Sequence, residues 1–236
     1  ENHNTAVGYL ALSGPVAGGE YNVAIGNYAG DAITSADLSV LVGYEAGTAI
    51  TTGTENMCIG AQAGQNLTTG TRTTLIGRAA GYNYDAENDN LAIGYFALGG
   101  VVNGGEYNVA IGNYSLDALT SGDYNVAVGY NSGSAINSGE AHTLVGNEAG
   151  RKITTSAHNT CIGYFAGGEL TTGATNIAMG SLALDGCDTE SDNLAIGFGA
   201  LGSSDLAGGE FNTGIGNTTL DALTSADSCV AVGHGA

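Results

Sequence analysis

The chain has 236 residues, including 41 Gly, one Pro and no Trp, and 23 acidic residues outnumber four basic ones. A net charge of −19 argues against a surface for nucleic acid or an anionic membrane, because Lys and Arg make most phosphate contacts. No apolar run reaches the ~18 residues of a membrane-spanning helix, so membrane insertion is not expected. The apolar fraction of 43% is enough to form a core.

One short word recurs along the chain, and it is identical at residues 22–28 and 108–114, which both read NVAIGNY. Successive copies are 17 residues apart except for two spacings of 18 and one of 19. A short fixed period is typical of a solenoid, in which each repeat contacts its neighbours. No linker interrupts the period, so we expect one continuous array over residues 1–236. In chain order, the glycines that close the word are Gly8, Gly26, Gly43, Gly60, Gly77, Gly94, Gly112, Gly129, Gly146, Gly163, Gly180, Gly197, Gly216 and Gly233.

Each repeat can be numbered from the Asn of NVAIG, which is position one. Positions two to four are rich in β-branched residues and favour a strand, which the glycine at position five ends. An apolar position twelve follows, and then a turn such as Thr51-Thr52-Gly53, so we expect strand, turn, short strand and turn. A helix is excluded because each of its interior glycines would cost roughly 1 kcal/mol. The fold class is therefore all-β, a parallel β-solenoid (β-roll) of about fourteen 17-residue coils.

Position three predicts a contact between chains. Positions two and four lie on one side of the strand and position three on the other. We expect positions two and four inside the coil, which leaves position three as an uncharged outward stripe that partner chains cover. The oligomer interface predicted in this way consists of Ala24, Leu41, Cys58, Leu75, Ala110, Leu144 and Cys161.

Two acidic turns predict a calcium-like site. Each replaces the Thr-Thr-Gly turn with three acids at alternate positions, a spacing that suits hard cations. The alternative is a solvated acidic edge without metal, so the expected cofactor is either none or Ca²⁺. The candidate ligands are Asp85, Glu87 and Asp89 in one turn and Asp188, Glu190 and Asp192 in the other.

The remaining polar residues predict structure rather than catalysis. Asn fills position one in ten copies, where stacked amides can hydrogen-bond along the solenoid. The four Cys suggest no disulfide set, and the four His have no metal-ligand spacing. No Ser-His-Asp or Cys-His arrangement is apparent, so an enzyme is not expected.

Several segments resemble known fibre repeats. The words NTAVGYLAL at 4–12 and NVAIGNYSLDALTSGDYNVAVGY at 108–130, together with the Thr-Thr-Gly turns, resemble bacteriophage tail-fibre repeats. They are also similar to the head repeats of trimeric autotransporter adhesins. This resemblance implies a left-handed β-roll, three of which pack around a three-fold axis.

Together, these features predict a non-enzymatic segment of a longer extracellular, cell-surface or virion fibre that acts as a rigid rod. Its partners would be further copies of the chain, in a trimer or in an end-to-end filament. The alternative is a module that itself binds a cell-surface receptor or glycan.

Overall fold

The computed structural model describes residues 3–15, 17–101, 103–202 and 208–236. They belong to two compact units, Glu1–Ser121 and Gly122–Ala236, and each unit is a parallel β-solenoid. The described residues contain no helix and one three-residue strand in each of the fourteen repeats. The first unit contains β1 (Thr5–Val7), β2 (Val23–Ile25), β3 (Val40–Val42), β4 (Met57–Ile59), β5 (Thr74–Ile76), β6 (Leu91–Ile93) and β7 (Val109–Ile111). The second contains β8 (Val126–Val128), β9 (Thr143–Val145), β10 (Thr160–Ile162), β11 (Ile177–Met179), β12 (Leu194–Ile196), β13 (Thr213–Ile215) and β14 (Val230–Val232). Continuity of one array over 1–236 stays a prediction.

Within each unit the strands pair in parallel and in register with the strands of adjacent repeats. Ala24 lies opposite Leu41, and Leu41 lies opposite Cys58. One repeat therefore makes one coil, which confirms the predicted all-β solenoid with 17-residue coils.

The short second strand predicted near position twelve is not a strand in the described residues. That part of the coil consists of turns, yet it still bonds from coil to coil. The Thr34 N–H donates to the Thr51 carbonyl, and the Thr51 N–H donates to the Thr68 carbonyl, both at 2.9 Å.

The middle residue of the strand faces the inside of its own coil, so the prediction that position three faces partner chains is wrong. The interior is lined by positions three, eight, nine and twelve, which leaves room for one strand side chain per coil. The flanking β-branched residues at positions two and four point outward, where they stack on the same positions of adjacent coils ~4.8 Å away. All seven predicted interface residues, Ala24, Leu41, Cys58, Leu75, Ala110, Leu144 and Cys161, are 0% exposed within the single chain.

The glycine at position five is required by the close approach of neighbouring coils. Gly26 has a φ of +138°, and a Cβ added there would lie 2.2 Å from the carbonyl oxygen of Gly43. No side chain fits in that gap, so this column is glycine throughout.

Positions three and nine share the volume of the core between them. In the coil of β5, Leu75 stands at position three and Gly81 at position nine, and a Cβ on Gly81 would lie 2.7 Å from Leu75 Cδ2. In the next coil the sizes are reversed, with Ala92 at position three and a buried Leu98 at position nine. Leu98 has a φ of +49°, so a leucine occupies this left-handed position where the core needs its volume.

We expect this exchange to be transferable between coils. Leu75→Ala should cost about 2–5 kcal/mol in unfolding free energy, because it leaves a cavity. Gly81→Leu alone should also destabilise, because the added side chain collides with Leu75. The double variant reproduces the Ala92 and Leu98 arrangement and should recover much of the loss, as measured by urea unfolding. Additive losses in the double variant would contradict the shared volume.

Candidate functional site

A ladder of buried polar side chains at position one ties the coils of the first unit together. Asn22 donates from Nδ2 to the Ala36 carbonyl at 2.7 Å, and its Oδ1 accepts the Ser39 N–H at 3.0 Å. Asn56 does the same one repeat further, with Gly70 and Thr73 at 2.7 and 3.1 Å. Each amide therefore satisfies one donor and one acceptor of the following coil. These bonds confirm the prediction that stacked amides bond along the solenoid.

His142 takes the place of an asparagine in the ladder of the second unit. Its Nδ1 accepts the Asn159 N–H at 3.1 Å, and its Nε2 lies 3.0 Å from the Ser156 carbonyl, to which it donates. This pairing requires a neutral ring with its proton on Nε2, because a second proton on Nδ1 would face another donor. Burial lowers the pKa of His142 from 6.5 to about 4.

The ladder should make the protein acid-sensitive at His142. Because the pKa of the folded state is depressed, the unfolded chain takes up a proton first as the pH falls. The contribution of His142 is fully present above pH 6.5 and is lost as the pH falls to about 4. The loss amounts to about 3 kcal/mol at 1.4 kcal/mol per pKa unit. His142→Asn should flatten the fall in unfolding free energy over this range, measured by urea unfolding at a series of pH values.

The exposed His158 supplies the matched control for this measurement. His158→Asn should keep the acid sensitivity of the wild type. An equal loss of stability with and without His142 would contradict the assignment.

In the first acidic turn, Glu87 is 5% exposed and binds backbone donors. Its Oε2 accepts the N–H groups of Asp85 and Ala86 at 2.8 and 3.1 Å. Its Oε1 accepts the N–H of Gly104, one coil further on, at 3.1 Å. Glu87 therefore joins its own turn to the long loop at 99–106.

The second acidic turn repeats this arrangement. Glu190 is 3% exposed, and its Oε2 accepts the N–H groups of Asp188 and Thr189 at 2.9 and 3.1 Å. Its Oε1 accepts the N–H of Gly208 at 2.9 Å, beside the longer repeat that spans residues 202–210. Residues 203–207 of that repeat lie outside the described residues.

The acids of each turn are not gathered around a single cation position. Asp89 pairs with Arg72 at 2.6 and 2.8 Å, and this guanidinium lowers the pKa of Asp89. Asp85 and Asp192 accept hydroxyl donors, from Thr68 and Thr175. Within the described ranges, no three His, Cys, Asp or Glu side chains form a group that could hold a metal ion. The predicted calcium ligands Asp85, Glu87, Asp89, Asp188, Glu190 and Asp192 are placed in or beside these turns, with Glu87 and Glu190 turned into the backbone.

The outward side of the strands is the feature that sequence reasoning assigned to the core. We call positions two and four of the strands of one unit its strand face. The face is apolar apart from threonine, and none of its residues is charged. Its more exposed members include Ile25 (41%), Met57 (37%) and Ile177 (39%). Position two is Thr5, Val23, Val40, Met57, Thr74, Leu91 and Val109 in the first unit, and Val126, Thr143, Thr160, Ile177, Leu194, Thr213 and Val230 in the second. Position four is Val7, Ile25, Val42, Ile59, Ile76, Ile93 and Ile111 in the first unit, and Val128, Val145, Ile162, Met179, Ile196, Ile215 and Val232 in the second.

Exposed aromatic rings lie at positions six and seven, beyond the glycine that ends the strand. In the first unit, Tyr28 packs edge-to-face on Tyr9 and Tyr44, with ring centroids 5.5 and 6.4 Å apart. These rings therefore pack on one another from coil to coil, and the side chains of Tyr9 and Tyr44 remain half exposed.

The thiols in the core are not placed for chemistry. All four cysteines are free, and Cys58, Cys161 and Cys187 are buried. Burial raises the pKa of Cys58 and Cys161 to about 12, so these thiols are poor nucleophiles.

No helix among the described residues is long and apolar enough to cross a membrane. No protein-family model, curated protein or solved structure shows significant similarity to the chain.

Proposed function

We propose that the chain is a non-enzymatic structural segment of an extracellular, cell-surface or virion fibre, assembled from copies of itself through the strand faces. The stacked coils would supply the mechanical reach of the fibre. The tail-fibre and adhesin resemblance of NVAIGNY and the Thr-Thr-Gly turns supports this reading and implies a left-handed trimer.

The observation that carries the proposal is the uncharged strand face. A chain with a net charge of −19 repels other copies over most of its surface, so close association needs a surface without carboxylates. The strand face has this property along each unit. Its β-branched side chains are held in fixed positions by the coils beneath, so covering them costs little side-chain entropy.

A second copy of the chain suits this face because its pattern repeats with every coil. Two faces in register place the same apolar side chains together at each step of ~4.8 Å. Full burial of a single Val or Ile side chain is worth roughly 1.5–3 kcal/mol, and the gain recurs in each coil. Association through this face leads to a closed oligomer such as a trimer. A filament formed by end-to-end stacking would leave the strand faces uncovered.

Molar mass from light scattering tests the proposal. The wild-type chain should have the mass of three chains at micromolar concentration. Ile93→Glu places a charge in the middle of the strand face and should give a folded monomer, with unchanged β-sheet circular dichroism. Asn66→Glu adds the same charge at an exposed position off this face and should leave the mass unchanged. A wild-type chain that stays monomeric would contradict the proposal.

The alternative function is direct binding of a receptor or glycan by the solenoid. The half-exposed rings of Tyr9 and Tyr44 favour it, because aromatic rings present apolar surface to sugars. Strong binding of the isolated chain to a glycan array, lost in Tyr44→Ala, would support this module in place of a passive fibre segment.

A further inference from the structure

The long loop at 99–106 contains an Asn-Gly pair, Asn103-Gly104, which is unique in the sequence. Asn103 and Gly104 are both exposed. Gly104 has a φ of +105°, and a Cβ added there would meet nothing within 4 Å. The peptide nitrogen of Gly104 therefore lies in open space, next to an asparagine whose side chain is free to approach it.

Such a pair has an intrinsic chemistry, in which the peptide nitrogen after the asparagine attacks the side-chain amide carbon. A five-membered succinimide forms and ammonia leaves. Glycine in the second position favours ring closure because it has no side chain in the way. The step that limits it is removal of the proton from a weakly acidic peptide N–H.

Glu87 lies where a base for this proton is needed. Its Oε1 accepts the Gly104 N–H at 3.1 Å, within the 2.6–3.2 Å reach of a general base. Two further N–H donors hold its Oε2, and the side chain is 5% exposed, so the carboxylate is fixed in place. All three hydrogen bonds are donated to it, as an ionised carboxylate requires. The N–H lies in the peptide plane, whereas attack on the amide carbon occurs across that plane, so the two events do not interfere.

We propose that Asn103 is a site of self-catalysed deamidation, with Glu87 as its general base. The Gly104 nitrogen bonds to Cγ of Asn103 as Glu87 takes the Gly104 proton. The C–N bond of the side-chain amide then breaks, and the proton returns through solvent to the departing nitrogen, which leaves as ammonia. Water opens the succinimide to aspartate or isoaspartate. The net reaction consumes one water, releases one ammonia and regenerates Glu87.

The product alters the loop in two ways. A carboxylate replaces a neutral amide at an exposed position of an already acidic chain, and the isoaspartate form adds one methylene to the main chain. The loop would therefore change slowly after synthesis, at a rate set by the fold. This inference does not rest on the proposed fibre function.

The other acidic turn provides the internal control. Glu190 binds the Gly208 N–H at 2.9 Å in the same way, but alanine precedes Gly208 in the sequence. Glu190→Gln thus makes the same change at a matched site that has no asparagine to react.

The test follows the conversion of Asn103 by peptide mass spectrometry and ammonia release during incubation at neutral pH. Full-length wild type, Glu87→Gln, Glu190→Gln and Asn103→Ala are compared with a synthetic peptide spanning 101–107. General bases typically contribute 10²–10⁴-fold, so we expect Glu87→Gln to slow conversion about tenfold or more. Glu190→Gln should react like the wild type, Asn103→Ala should release no ammonia from this site, and wild type should outpace the peptide.

Equal or faster conversion in Glu87→Gln would overturn the proposal, because it would mean that the hydrogen bond restrains the loop and protects Asn103. If Glu87→Gln does not fold, the peptide comparison still decides, since wild type slower than the free peptide would also overturn it.

Discussion

The buried hydrogen-bond ladder at position one is the constraint on which the rest of the structure depends. Asn22 and Asn56 each bond to the N–H and the carbonyl of the following coil. A shift of one residue between coils would leave these buried groups without partners, at a cost of about 1–3 kcal/mol each. The ladder therefore fixes the register, and the register stacks each position on its equivalent.

The other columns follow from that register. Glycine must recur at position five because adjacent coils approach too closely for a side chain, as at Gly26 and Gly43. The narrow interior accepts one large residue from positions three and nine together, as Leu75 with Gly81 and Ala92 with Leu98 show. The β-branched residues at positions two and four are left outside. Repetition of the sequence is thus a consequence of stacking, and the uncharged strand face is its by-product.

Much of the coil could be predicted from the sequence, including the 17-residue period, the strand at positions two to four and the amide ladder. The direction of the strand could not, because period-two alternation separates two faces without saying which one is inside. The pairing of Leu75 with Gly81, and of Ala92 with Leu98, was a readable signal, since it links position three to a second residue of the same interior. The role of Glu87 was also hidden in a pattern. Glu87 and Glu190 each lie one coil before a longer repeat, and Glu1 stands at the same distance before Gly18. Function is harder to read, because a solenoid surface shows no convergent cluster of reactive groups.

The inward direction of the middle strand residue is the central claim, and thiol labelling tests it most directly. The measurement uses the Ile93→Glu chain, in which no partner covers the strand face, so that any protection comes from the fold itself. Cys58 and Cys161 lie in the middle of β4 and β10, whereas Cys229 is partly exposed. We predict rapid labelling of Cys229, with Cys58 and Cys161 reacting only after denaturation. Labelling of Cys58 and Cys161 in the folded monomer as fast as that of Cys229 would contradict the account.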